Sequence, residues 1–394
     1  MMKKTIRDYD LFGKKVIIRC DFNVPMKDGK IIDDNRLVMS LETINYAINN
    51  GAKLILMSHL GRIKAEEDKE KNSLRLVSER LSELLGKNVL FVPTTKGIEL
   101  ENAINSLNNG DVLLMENTRF EDVPGKRESG NDPELGKYWA SLGEIFINDA
   151  FGTAHRAHAS NVGIATNLPS GLGFLVEKEV NALSILNEDI HPYVVILGGS
   201  KVADKIGVIE NLVTKADKIM IGGGMAYTFL KAKGYNIGTS ILDEESIDFC
   251  KKIMNEYPEK IVLPLDNIVT KEFSNDVENR NVLVSEFLDD DMGMDIGSNT
   301  IDNFCANLDN AKIVFWNGPL GVYEFSKYTN GTERVLEKLV SIDAKTILGG
   351  GDIVAAASKL GYKDKVTHAS TGGGVTLEFM EGKELPGVVS IMNK

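Results

Sequence analysis

Tyr193-Val194-Val195-Ile196-Leu197-Gly198-Gly199-Ser200-Lys201-Val202-Ala203-Asp204-Lys205, just past the midpoint of the chain, changes its pattern within thirteen residues. Tyr193 to Leu197 is a continuous apolar, largely β-branched run of strand length. Gly198-Gly199 interrupts it before Val202, Ile206, Ile209 and Leu212 take up helical spacing. The stretch reads as strand, glycine turn, helix. A helix starting directly after two residues without side chains presents unpaired backbone N–H groups and the positive end of its dipole, and Lys201 adds a full charge. An anion such as phosphate fits there; so does the alternative of a plain βα turn with a surface lysine. The spacing is neither that of a P-loop nor a G-x-G-x-x-G fingerprint, so the segment alone names no ligand.

The bulk properties bound what can surround it. A chain of 394 residues, 43% hydrophobic and 26% charged, has room for two or three domains, each with its own core. A net charge of -12 argues against a general nucleic-acid or membrane binder and makes any anion site local. The N-terminal Met1-Met2-Lys3-Lys4-Thr5-Ile6-Arg7 lacks the apolar core of a signal peptide, and no apolar run approaches membrane-helix length, which fits a cytoplasmic protein. Cys20, Cys250 and Cys305 are odd in number and far apart, as reduced thiols are.

In the first half, apolar runs at Val16–Ile18, Leu54–Met57, Val89–Val92, Val112–Met115 and Glu144–Ile147 predict strands. Leu37, Leu41, Ile44 and Ile48 predict a helix entered through Asp33-Asp34 and ending at Gly51; further helices are expected over Leu74–Leu85 and Ile98–Leu107. The mixed-charge run Lys64 to Asn72 reads as a solvated loop. Strand ends and nearby helix starts carry Arg36, His59, Arg62, Arg119, Arg156 and His158. Ligands of open α/β sheets bind beyond the carboxyl ends of the strands, so these side chains are expected to converge, and their shared sign predicts a multiply charged anion. Arg36 in a first helical turn opposes the dipole, which suits a ligand role better than a stabilising one, a surface arginine being the other reading. His155 and His158 lack a third ligand for a metal.

In the second half the strand ends carry glycine instead: Ile221 runs into Gly222-Gly223-Gly224, Trp316 into Asn317-Gly318-Pro319, Leu348 into Gly349-Gly350-Gly351-Asp352, and Thr371-Gly372-Gly373-Gly374 opens the last helix. Close backbone approach to a ring or a phosphate needs missing side chains, so this half reads as a nucleotide site. Asp352 is either a Mg²⁺ ligand or an ordinary helix cap. Phe174 to Leu186 looks helical, and its Pro/Gly-rich entry Asn167–Gly173 makes it a hinge candidate; a packed helix of a continuous fold is the alternative.

Asp21-Phe-Asn-Val-Pro25, Ser58-His-Leu-Gly-Arg62, Glu116-Asn-Thr-Arg-Phe120, Asp149-Ala-Phe-Gly-Thr-Ala-His-Arg-Ala-His158, Gly198 to Lys205, Trp316 to Glu324 and Gly349 to Asp352 stand in this order. Together they resemble the phosphoglycerate kinase family over essentially the whole chain. The resemblance implies an α/β fold of two doubly wound parallel-sheet (Rossmann-like) domains joined by a hinge helix across a cleft. Residues 1–170 would bind phosphoglycerate, 171–188 would form the interdomain helix, 189–379 would bind nucleotide, and a segment from about 380 to 394 would return to the first domain. It implies reversible phosphoryl transfer between 1,3-bisphosphoglycerate and MgADP, giving 3-phosphoglycerate and MgATP, in a cytoplasmic monomer with no nucleic-acid or membrane partner.

Carried over by position, Asp21, Asn23, Arg36, His59, Leu60, Gly61, Arg62, Arg119 and Arg156 would hold the phosphoglycerate. Lys201, Lys205, Gly293, Asn317, Glu324, Gly350, Gly351, Asp352 and Ile353 would hold the nucleotide, with Asp352 on Mg²⁺. Arg36, Lys201, Gly372 and Gly373 would surround the phosphoryl group in transit. Ile353 stands where the family usually has serine or threonine, removing a hydroxyl, and Ile63 where it usually has proline. A nicotinamide-dependent dehydrogenase would leave the arginines unexplained and lacks its fingerprint. A non-catalytic nucleotide binder predicts loss of Arg36, Lys201 or Asp352, and all are present.

Overall fold

The computed structural model describes residues 2–394. Contacts divide the chain into two compact units, one running to Asn181 and resuming over Glu384–Lys394, the other Ala182–Lys383.

The first unit runs β1 (Lys15–Cys20), a small hairpin β2 (Met26–Lys27) and β3 (Lys30–Ile31), α1 (Asn35–Asn49), β4 (Lys53–Met57), α2 (Glu67–Lys71), α3 (Arg75–Leu85) and β5 (Val89–Val92). It continues through α4 (Ile98–Asn105), β6 (Val112–Met115), α5 (Pro133–Ser141), β7 (Ile145–Asp149) and β8 (Ser170–Leu172) into α6 (Phe174–Ser184). Six strands form one all-parallel sheet in the order β5-β6-β4-β1-β7-β8. Strand β6 is buried at every position, which is why it appears in the sequence as an unbroken apolar run instead of alternation; β7 is buried throughout as well but ends in the polar pair Asn148-Asp149. The order reverses direction beside β1, so the loops after β1 and β7 open at a switch point.

Two local expectations are corrected. Asp34 stands at the N-cap of α1 without capping it: its carboxylate pairs with Arg80 at 2.8 Å, while Asp33 accepts from Asn35 N at 2.8 Å. The run Lys64 to Asn72 is solvated, yet it contains the short helix α2, because the Asp68 carboxylate accepts from Lys64 N and Ala65 N and fixes a turn.

The second unit runs β9 (Tyr193–Leu197), α7 (Ile206–Leu212), β10 (Lys218–Ile221), α8 (Met225–Ala232), α9 (Ile247–Glu256), β11 (Ile261–Val262), β12 (Asp266–Thr270), β13 (Arg280–Leu283) and β14 (Met292–Ile296). Then follow α10 (Ser298–Leu308), β15 (Ile313–Asn317), α11 (Asn330–Ser341), β16 (Lys345–Leu348), α12 (Gly351–Lys359), β17 (His368–Ala369) and α13 (Gly373–Met380). Its parallel sheet is ordered β11-β10-β9-β15-β16-β17, with the switch beside β9. A three-stranded antiparallel sheet, β13-β12-β14, is an addition with no counterpart in the sequence reading. A further short helix, α14 (Pro386–Val389), follows α13 and belongs to the first unit, where Asn148 Nδ2 donates to Gly387 O at 2.7 Å.

The helix expected immediately after Gly198-Gly199 begins later, at Ile206, behind a 3₁₀ turn over Ala203–Lys205. The glycines serve a different approach: Gly198 N donates to Asn317 O at 2.8 Å and Gly199 N to Pro319 O at 3.0 Å. A Cβ at Gly198 would collide with the backbone of Gly318 and Pro319. Backbone meets backbone here, and the chain needs several more residues before a helix can start.

Two of the buried carboxylates are Asp149 and Asp295. Asp149 at the end of β7 accepts from Leu175 N at 2.9 Å in the first turn of α6, and Asp295 in β14 accepts from Gly331 N at 2.8 Å. Burial raises both to about 7. A folded-state pKa above the unfolded value means stability that is full below about pH 4 and lost as pH rises through 7. Urea unfolding should therefore show a loss of up to about 1.4 kcal/mol per pH unit from each group in that window, and Asp149→Asn should shrink the slope. An unchanged slope would remove Asp149 from the account.

Candidate active site

At the carboxyl end of the first sheet, the loops after β1, β4, β6 and β7 enclose a recess of about 230 Å³ lined by Asn23, His59, Gly61, Arg62, Arg119 and the Gly152–His158 loop. No carboxylate is among the described residues lining it. The loops are cross-tied: Asn23 Oδ1 accepts from Gly61 N at 2.8 Å, and Arg119 Nη1 donates to Gly61 O at 2.9 Å. Asn117 donates to Leu60 O and Asn72 O at 2.7 and 2.8 Å. Leu60 itself packs into the core, so only its backbone belongs to the site. Gly61 has φ +61°, and a side chain there would run into Asn72. Arg36 lies at the rim, where its Nη1 donates to Asp21 Oδ2 beside Gly152. Arg156 is exposed, its Nε donating to His155 Nε2 at 3.0 Å.

The histidines do not share the arginines' sign. Burial, with Arg19 next in weight, holds His59 well below its usual value and His158 at about 3, so both rings are neutral at pH 7. Neither His59 nor His158 adds charge to the recess, which its arginines make positive.

In the second unit a pocket of about 340 Å³ opens beside the strand-end glycines, with Gly223 and Gly224 on one side and Met292 to Met294, Val322, Tyr323 and Phe273 around it. Gly293 admits the buried Tyr227 ring, which a Cβ there would strike. Glu324 and Asp352 complete the lining. Asp352 sits in the first turn of α12, but Gly350 is the N-cap, at φ +116°, and no capping bond from the Asp352 side chain exists among the described residues. The cap reading of Asp352 is thereby set aside. Asn317 Nδ2 donates to Gly349 O, tying the ends of β15 and β16 together. Lys201 is exposed, whereas Lys205 is buried, with its Nζ beside Gly199; burial lowers its pKa, against Asp204 and Asp352.

The N-termini of α12 and α13 meet: a Cβ on Gly373 would stand 3.2 Å from Gly351 N. Two helix starts with glycine backbones form an anion cradle. Gly372 N is 3.3 Å from Ser370 Oγ, so its donor is partly engaged. Ile353 is wholly buried in the unit's core, so its own side chain packs inward and its backbone is what remains available.

A family model described as phosphoglycerate kinase matches residues 6–383. The chain belongs to the phosphoglycerate kinase family. Phosphoglycerate kinases from Enterococcus faecalis and Listeria welshimeri are each 59% identical to it over 397 and 396 residues, covering 100% of both chains. Among solved structures, phosphoglycerate kinase from Coxiella burnetii superposes with a TM-score of 0.91 at 38% identity, covering 98% of each chain. That from Pyrococcus horikoshii OT3 gives 0.83 at 32% identity, covering 99% of this chain and 98% of the other.

Within this family member, Asn23, His59, Gly61, Arg62, Arg119 and Arg156 meet at one recess with Asp21 and Arg36 at its edge; Gly293, Glu324 and Asp352 line the other pocket. Lys201 and Gly350 on strand-end loops, Lys205 at the end of the 3₁₀ turn and Asn317 at the end of β15 stand outside the pocket wall. Sequence reasoning missed Tyr227, Phe273, Met292 and Met294, which no local pattern marks. It also passed over Arg19, fully buried at the end of β1, although a cation ending an apolar run was a visible signal.

Proposed function

We propose that the arginine-lined recess holds the phosphoglycerate and the glycine-walled pocket the nucleotide, for reversible phosphoryl transfer from 1,3-bisphosphoglycerate to MgADP giving 3-phosphoglycerate and MgATP. The observation that carries the substrate assignment is the convergence of Arg62, Arg119 and Arg156 on a recess without a carboxylate. A phosphorylated three-carbon acid offers both charged ends to bidentate guanidinium contacts. The apolar walls at Gly223, Gly224, Met292 and Val322 suit a flat base, and the paired starts of α12 and α13 suit phosphates.

In this reading Arg36, Lys201 and the backbone N–H groups of Gly372 and Gly373 neutralise the phosphoryl group in transit. Phosphoryl transfer asks chiefly for positioning and charge. In the reverse direction the carboxylate of 3-phosphoglycerate is the acceptor and is ionised at neutral pH, so no base is needed, in keeping with a neutral His59 and His158. When bound with the nucleotide, Mg²⁺ supplies charge neutralisation on the phosphates. A lone uncapping carboxylate such as Asp352 fits it, since Mg²⁺ keeps several waters and takes one or two protein carboxylates. Asp352→Ala should weaken MgATP binding at least tenfold while leaving metal-free ATP binding within twofold, by calorimetry; equal losses would contradict the metal role. We place the protein in the cytoplasm as a monomer; no helix among the described residues is long and apolar enough to cross a membrane. Because the two ligand sites belong to different units, the reading includes approach of the units once both ligands are bound. Formation of ATP from MgADP and 1,3-bisphosphoglycerate by purified protein tests the assignment, and its absence with folded protein would overturn it.

A further inference from the structure

Behind the recess lies a set of buried polar groups that the proposed reaction does not use. Arg19 and Glu128 are both fully buried, and Ser160 stands between them. Ser160 donates to Glu128 twice, through its N at 2.9 Å and through its hydroxyl. Arg19 Nε donates to Ser160 Oγ at 2.9 Å, Nη1 donates to Cys20 O, and Nη2 lies 3.1 Å from His59 Nδ1. Glu128 Oε1 is also 3.7 Å from His158 Nδ1.

Guanidinium nitrogens only donate, so His59 Nδ1 must carry a lone pair. That excludes the imidazolium and the Nδ1–H tautomer, and places the ring proton on Nε2. His59 lines the recess, so Nε2–H is the donor left for an anionic substrate. The burial that depresses His59 acts in the same direction. What keeps Arg19 in place is its buried counter-charge: without Glu128 the guanidinium would be an uncompensated cation in the interior, drawn toward any other anion.

We propose that Glu128 is a positioning residue for phosphoglycerate: through Ser160 and Arg19 it fixes His59 as a neutral Nε2–H donor facing the recess. The role of the recess rests on the reading in the preceding section, but the tautomer does not. With only five histidines in the chain, imidazole ¹⁵N spectra can separate the ring of His59. The unmodified protein should show a His59 Nδ1 without a proton and an Nε2 with one, unchanged from pH 5.5 to 8. A titrating ring, or the opposite tautomer, would overturn the proposal whatever the activity. Glu128→Gln should mix the tautomers and raise KM for 3-phosphoglycerate about tenfold, the loss of one charge-assisted hydrogen bond, with KM for MgATP unchanged. Equal effects on both KM values, or a pure His59 tautomer retained in the variant, would mean that Glu128 serves stability alone. If Glu128→Gln does not fold, Ser160→Ala breaks the link while keeping the carboxylate, and the same selective rise in KM is expected. Inactive wild-type protein with the predicted spectrum would refute the reaction and leave the tautomer standing.

Discussion

Arg36→Ala should lower kcat by about 10²- to 10³-fold, the effect typical of removing one donor aimed at charge that develops in the transition state. Arg36 occupies the first turn of α1, where a cation opposes the helix dipole, and its side chain stays 42% exposed while paired with Asp21. Its bond to Asp21 holds the guanidinium at the edge of the recess. Losing it also leaves the Asp21 carboxylate uncompensated beside an anion site, so KM for phosphoglycerate should rise as well, by a smaller factor. Arg36→Lys, with charge but no planar fork, should recover only part of kcat. Steady-state kinetics in which Arg36→Ala altered KM alone would refute the transition-state role.

Lys201→Ala should cost about 10²-fold in kcat for the same electrostatic reason. Lys201 follows the Gly198-Gly199 loop and is exposed, whereas its neighbour Lys205 is buried and held near Gly199. An exposed lysine on a flexible stem can follow a moving phosphoryl group, and its removal should leave unfolding within about 0.5 kcal/mol of wild type. Unchanged kcat would return the stretch to the plain alternative, a tight turn with a surface lysine. Because α7 starts only at Ile206, no α-helix N-terminus stands at Lys201; such N-termini stand at α12 and α13.

That shift shows where sequence patterning stops. Parallel strands buried on both faces leave unbroken apolar runs, so β6, β9 and β10 are legible to their ends. The antiparallel sheet is not, because β12 carries buried Asp266 and Asn267, whose justification is distant: Asp266 accepts from Thr300 N at 2.8 Å and Asn281 Nδ2 at 2.8 Å. The charged residues of the recess are legible because strand ends are predictable places. Tyr227 and Phe273 come to the pocket of the second unit from separate stretches of chain, with no local pattern to mark them. Ile353 illustrates a different gap: a family position read as a missing hydroxyl is a core side chain in this chain, and the backbone is what remains for a ligand.

In the proposed reaction the two units must approach for transfer, since the reacting oxygen and phosphorus have to come within about 3 to 3.5 Å. Ser106 and Ser358 are exposed, one on each unit, while Cys20 and Cys250 are buried; cysteines at the two serines in a Cys305→Ser background therefore accept a fluorophore pair. The interdye distance should shorten substantially only when 3-phosphoglycerate and MgATP are both present, and little with either alone. The same distance distribution in the ligand-free and doubly liganded enzyme, with normal turnover, would contradict the account.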